Sequence, residues 1–117
     1  MRKFSLALIA AALMAMTSGQ AMAATKMTAQ QIHEQMKELS GQQVELHGKV
    51  TKVNNGIMRR NFIHMTDDGG TDITVTSKDT AQVGQNIKVI GNVKLDTDFG
   101  MGYSYPLLIE NSTITVK

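Results

Sequence analysis

Around Gly41 the spacing of apolar positions changes, and that change predicts most of the architecture. Before it, Ile32, Met36 and Leu39 recur at helical intervals. They follow Thr28-Ala29-Gln30-Gln31, in which the Thr hydroxyl can cap the first turn and Gln31 can reach back. The spacing predicts one amphipathic helix over about residues 28–40, ended by Gly41. Its single apolar stripe must pack on whatever follows. After Gly41 the period is two. Val44, Leu46, Gly48 and Val50 alternate with Glu45, His47, Lys49 and Thr51 as a long first strand. Asn54-Asn55-Gly56 signals a turn. Asn61 to Thr66 forms a second strand, closed by Asp67-Asp68-Gly69-Gly70, and Ile73 and Val75 mark a third. A polar connection runs from Ser77 to Gly84. Ile87, Val89, Gly91, Val93 and Leu95 form a fourth strand, Asp96 to Tyr105 an irregular loop, and Leu107, Ile109 and Ile114 a fifth strand.

The first and fourth strands each carry a central glycine, where a strand bends sharply. Five short strands, two of them bent, favour closure, because a closed barrel leaves no sheet edge exposed. The predicted fold is therefore mainly β: a five-stranded OB-type Greek-key barrel over about residues 42–117, preceded by one N-terminal amphipathic helix. A two-sheet sandwich is the alternative, although the chain is short for two full sheets.

Composition adds a compartment. Arg2 and Lys3 precede the apolar run Leu6 to Met16, and Ala21-Met22-Ala23 has the small-x-small form of a cleavage site. Residues 1–23 read as a signal peptide and residues 24–117 as one exported, periplasmic, monomeric domain. With no Cys in the chain, lipoprotein acylation and disulfides are excluded. The 12 Lys plus Arg fall to 10 once Arg2 and Lys3 are set aside, against 10 Asp plus Glu. A formally neutral domain has no net field to attract nucleic acid.

The candidate chemistry centres on Asn61-Phe62-Ile63-His64-Met65-Thr66. If Ile63 and Met65 face the core, Phe62 and His64 stand side by side in solvent. Met58 upstream and Met101, between Gly100 and Gly102, add thioethers. Imidazole and thioether are ligands that Cu(I) prefers, and an aromatic face such as Phe62 can shield the ion. The predicted metal site is His64, Met58 and Met101, with Phe62 as its shield. Each residue also has a plainer role: His64 as a solvent-facing strand residue, Met58 as a barrel-end cap. His33 and Met36, three apart on the helix, are set aside because Met36 is needed for the apolar stripe. His47 is assigned to the surface with Glu45 and Lys49. Arg59 and Arg60 read as a solvated turn or a partner contact, together with Phe99, Tyr103 and Tyr105 in the long loop. No G-x-S-x-G, H-E-x-x-H or Cys nucleophile is present, so no catalytic activity is expected.

Gly48-Lys49-Val50-Thr51-Lys52-Val53, Gly56-Ile57-Met58, Asn61-Phe62-Ile63-His64, Asp67-Asp68-Gly69 and Asp98-Phe99-Gly100-Met101-Gly102-Tyr103-Ser104-Tyr105 together resemble the NrfJ-related family of small exported OB-fold proteins. More distantly the chain is similar to the CusF-like copper carriers. The NrfJ-related family usually has Trp where this chain has Phe62. The resemblance implies a periplasmic Cu(I) carrier or chaperone that serves a respiratory metalloenzyme, such as a multihaem nitrite or sulfite reductase. Two alternatives stand beside it. One is an OB-fold protein that binds nucleic acid, with Phe62, Arg59 and Arg60 as a stacking platform. The other is a metal-independent adaptor that uses the Phe99–Tyr105 loop.

Overall fold

The computed structural model describes residues 24–117; the predicted signal peptide, residues 1–23, lies outside the described residues. In chain order the elements are β1 (Thr25–Lys26), α1 (Ala29–Glu34), α2 (Met36–Leu39), β2 (Gln43–Ile57), β3 (Arg60–Asp67), β4 (Asp72–Ser77), β5 (Asn86–Asp98) and β6 (Ser104–Val116). The five predicted strands are present as β2 to β6. The two-residue β1, which pairs in parallel with β2, is an addition that its short polar sequence did not signal.

The sheet runs β1-β2-β3-β4-β6-β5 and closes because β2 also pairs with β5. One strand serves two neighbours by dividing its length. Gln43 to Lys49 pair with β5, and Gly48 to Ile57 pair with β3. Gly48 sits where the two ladders overlap. A Cβ there would lie 2.5 Å from the Thr66 carbonyl oxygen and 2.8 Å from Met65 Cε, so only glycine lets β2 bend at this point. Gly91 on β5 is confined in the same way, by Ser112, Ile109 and the Glu110 carbonyl.

Alternation fills the interior. Val44, Leu46, Ile63, Met65, Val75, Val89 and Ile109 are fully buried there, and Ala29, Ile32 and Leu39 from the helices cover the end of the barrel. Thr28 and Gln31 form the predicted capping box. The Asp67 carboxylate fastens α1 to the β3–β4 turn, accepting from the Ala29 amide at 2.8 Å and from the Gly69 and Thr71 amides at 3.0 Å.

Two local expectations need correction. The single helix over 28–40 is two helices, because Gln35 (φ −113°, ψ 19°) leaves the helical region. Ile32 and Leu39, one in each helix, are both buried in the core. The chain also does not reverse at Asn54-Asn55-Gly56. β2 continues to Ile57 through a register shift, and the reversal is at Met58 and Arg59, with φ of 51° and 67°. Two consecutive positive φ values match a primed two-residue hairpin turn. Gly56 (φ 73°), its amide held by Asn61 Oδ1 at 2.9 Å, belongs to the bulge instead. Finally, the long irregular loop shrinks to a tip at residues 99–103, since β5 and β6 extend to Asp98 and Ser104 as one arm.

Candidate functional site

The β3 alternation places Ile63 and Met65 in the core, as expected, with Phe62 and His64 on the other face. Phe62 is nonetheless not in solvent: it is 0% exposed. The β5–β6 arm lays three rings on it. Phe99 meets it edge to face at 5.3 Å between centroids, Tyr103 lies tilted at 5.4 Å, and Tyr105 stacks at 5.8 Å. Such geometries carry an attraction beyond area burial. The exposed Phe62 shield is therefore corrected to the buried centre of an aromatic cluster. Phe99, Tyr103 and Tyr105 are each half-buried, so the outer side of the cluster is available. Burial and the neighbouring Tyr103 push the Tyr105 phenol up, which keeps it neutral.

Charge is arranged around these rings. The Arg60 guanidinium carbon lies 4.8 Å from the Phe99 ring centroid, a cation–π contact. Arg60 also approaches Glu110 at 3.9 Å, and Lys94 reaches the other Glu110 oxygen at 3.2 Å. Arg59, exposed at the β2–β3 turn, has no acidic partner within 4 Å among the described residues.

The predicted metal trio does not assemble around His64. Met58 occupies the β2–β3 turn, and at ~3.3 Å per residue Arg60 alone is ~13 Å along β3 from His64. Met101 is 88% exposed at the opposite hairpin's tip and does not fold back over the barrel mouth. The turn that sets Phe99 and Tyr103 on Phe62, with Gly100, Met101 and Gly102 all at positive φ, leaves the Met101 side chain in solvent. Among the described residues no group of three or more His, Cys, Asp or Glu is placed to hold a metal.

His64 instead lines a cleft of about 480 Å³, shared with His33, Met36, Lys52, Asp72 and Thr74 and walled by Pro106. Its Nδ1 lies 3.3 Å from Thr74 Oγ1. Burial, then Lys52, holds the imidazole below its ordinary pKa, with Asp72 opposing. His33 Nε2 sits 2.9 Å from the Asp72 carbonyl, to which it donates. His47 is half-buried between Glu45 Oε2 at 2.7 Å and Lys117 Nζ at 2.8 Å. The sequence reading missed this cleft. The His33–Met36 spacing was visible, but its partners arrive from β2, β3, β4 and β6.

The cluster lies on the outer face of β3 between the β2–β3 turn and the β5–β6 tip, and the cleft continues along β3 and β4 toward the helices. In an OB barrel, the equivalent strands and the two equivalent loops form the oligonucleotide-binding side. Comparison with known proteins bears on this. Residues 22–114 match the family model described as Replication factor A protein 3. A solved structure described as "OBody AM3L09 bound to hen egg-white lysozyme" superposes with a TM-score of 0.52 at 17% identity, over 68% of this chain and 84% of that one, a likeness of fold. No curated protein matches the chain.

The likeness of fold supports the OB architecture, and the family match corrects the rest of the expected identity. It is to a replication-factor family, not to the NrfJ-related or CusF-like proteins. It supports the nucleic-acid alternative over the copper carrier. The expected periplasmic metalloenzyme partner is overturned with it, as is the expectation that nucleic acid is not a partner. So is the periplasmic address.

Proposed function

Because the chain belongs to the replication factor A protein 3 family, we propose that it binds single-stranded nucleic acid on the outer face of β3 and β4. One observation carries the reading. The aromatic side chains among residues 24–117 gather in one patch between the two hairpin ends, with Arg60 over the Phe99 ring and Arg59 exposed in the adjoining β2–β3 turn. A neutral domain can still bind a polyanion if its cations are local. Arg59 and Arg60 engage the backbone, while the outer sides of Tyr103 and Tyr105 take the bases. Every base offers a π face, so this platform tolerates many sequences.

The test is fluorescence anisotropy of the protein with a labelled oligothymidylate, against a duplex of equal length, at several salt concentrations. The expected result is preference for the single strand and affinity that falls steeply with salt. Arg59→Ala should reduce the magnitude of the log–log salt slope by about 0.7. Salt-independent binding, or equal affinity for duplex, would contradict the proposal.

A further inference from the structure

We propose that the cleft beside His64 is a nucleoside-monophosphate pocket, which holds one nucleotide with its phosphate on Lys52 and His64. The inference rests on the nucleic-acid reading above and extends it to a second subsite. The cleft's volume of about 480 Å³ lies within the roughly 300–1,000 Å³ of small-ligand pockets. Its lining is divided in a way that suits a nucleotide. Met36, Ile73 and Pro106 give an apolar wall for a base. Lys52 and His64 give two nitrogen donors on one side.

Those donors are unspent. Lys52 has no acidic partner within 4 Å among the described residues. His64 uses Nδ1 toward Thr74, and its Nε2 has no hydrogen-bond partner among the described residues. Asp72, the carboxylate on the lining, has Oδ1 occupied by Thr66 Oγ1 at 2.5 Å. The charged or titratable groups around His64 are thus Lys52 from β2, Asp72 from β4 and His33 from α1, whose Nε2 is committed to the Asp72 carbonyl. A phosphate on the Lys52 and His64 side of the cleft gives both nitrogens an acceptor, against repulsion from the Asp72 carboxylate, which stays charged although Oδ1 is hydrogen-bonded. The position also fits a strand in transit. His64 and Phe62 are two residues apart on one face of β3, so the pocket begins where the aromatic patch ends. Bound phosphate offsets both the burial and the Lys52 charge that keep His64 neutral, so ligand binding should take up a proton.

The occupant is either the phosphorylated end of a bound strand or a free mononucleotide, and titration calorimetry of the full-length protein separates them. Thymidine 5′-monophosphate should bind at least tenfold more tightly than thymidine. Lys52→Gln and His64→Gln should each remove about five- to tenfold of that preference without lowering the Tm, while Lys88→Gln on the far side of the barrel should have no effect. The His64 ring resonance should titrate at higher pH once the nucleotide is present. Equal binding of nucleoside and monophosphate, or a preference untouched by both variants, overturns the pocket. An oligothymidylate with a 5′-phosphate that binds more tightly than one without, with the gain lost in Lys52→Gln, assigns the pocket to a strand end. A phosphate preference seen only with the free nucleotide assigns it to the soluble ligand. Oligonucleotide binding with no phosphate preference anywhere removes the pocket and leaves the aromatic platform standing. Monophosphate binding with no oligonucleotide binding keeps the pocket and removes the platform.

Discussion

Ile63 and Phe62 are neighbours on β3, both fully buried, yet they belong to two differently built regions. Ile63 faces the barrel interior, where its cover comes from strands hydrogen-bonded into a closed sheet. Phe62 faces outward, and rings from the β5–β6 arm lie across it. The interior has no side open to a ligand. The outer cluster has one, because Phe99, Tyr103 and Tyr105 are buried toward Phe62 and exposed away from it. The contrast shows how a small barrel acquires a working surface. It extends one hairpin beyond the length closure requires and folds that hairpin onto the outer wall.

Substitutions on the two sides should separate stability from binding. The largest effect is expected for Ile63→Ala, which opens a cavity in a closed interior and should cost about 2–5 kcal/mol in denaturant unfolding. Oligonucleotide affinity of the folded protein should stay within about twofold. A large affinity loss there would erase the distinction between interior and platform. Tyr103→Ala should do the opposite. Loss of a stacking face should weaken single-strand binding by about 1–3 kcal/mol, roughly 5- to 150-fold, with about 1 kcal/mol or less of lost stability, because the ring is half exposed.

Much of the interior could be read in advance. The parity of Ile63 and Met65, the glycines at 48 and 91, and the Thr28 cap each follow from neighbours a few residues away. The outer cluster could not be read that way. Phe62 was correctly placed off the core, but its cover lies 37 to 43 residues later in the sequence (Phe99 to Tyr105), and alternation says nothing about which hairpin bends over which face. The same limit produced the metal site. Met58, His64 and Met101 are attractive as donor types, whereas their separation depends on where the chain turns, and Asn54-Asn55-Gly56 marked a bulge rather than the turn. Of the two arginines at the β2–β3 turn, the structure sets Arg60 over the Phe99 ring and leaves Arg59 exposed, a difference that their adjacency in the sequence does not signal.

Smaller effects sharpen the boundary between the two regions. Thr76 is the strand partner of Phe62, and its hydroxyl is buried with no hydrogen-bond partner among the described residues. Thr76→Val should be neutral or stabilise by up to about 1 kcal/mol, since it removes a desolvated group rather than a bond. A loss well beyond 1 kcal/mol in thermal unfolding would mean that the hydroxyl has a partner. The smallest effect is expected from pH. His64 has a folded pKa below its ordinary 6.5, so the unfolded chain binds the proton first. Stability should therefore decline as pH falls from about 6.5 toward the folded pKa, and His64→Gln should flatten that part of the profile. An unchanged slope in the variant would assign the dependence to another group.

The most direct test of the account is an NMR map of amide and side-chain shifts as single-stranded oligonucleotide is added. The account predicts perturbations at Arg59, Arg60, Phe99, Tyr103 and Tyr105, extending along β3 toward His64, with the opposite wall around Lys88 on β5 unmoved. Shifts centred on that opposite wall, or none at saturating oligonucleotide, would contradict it.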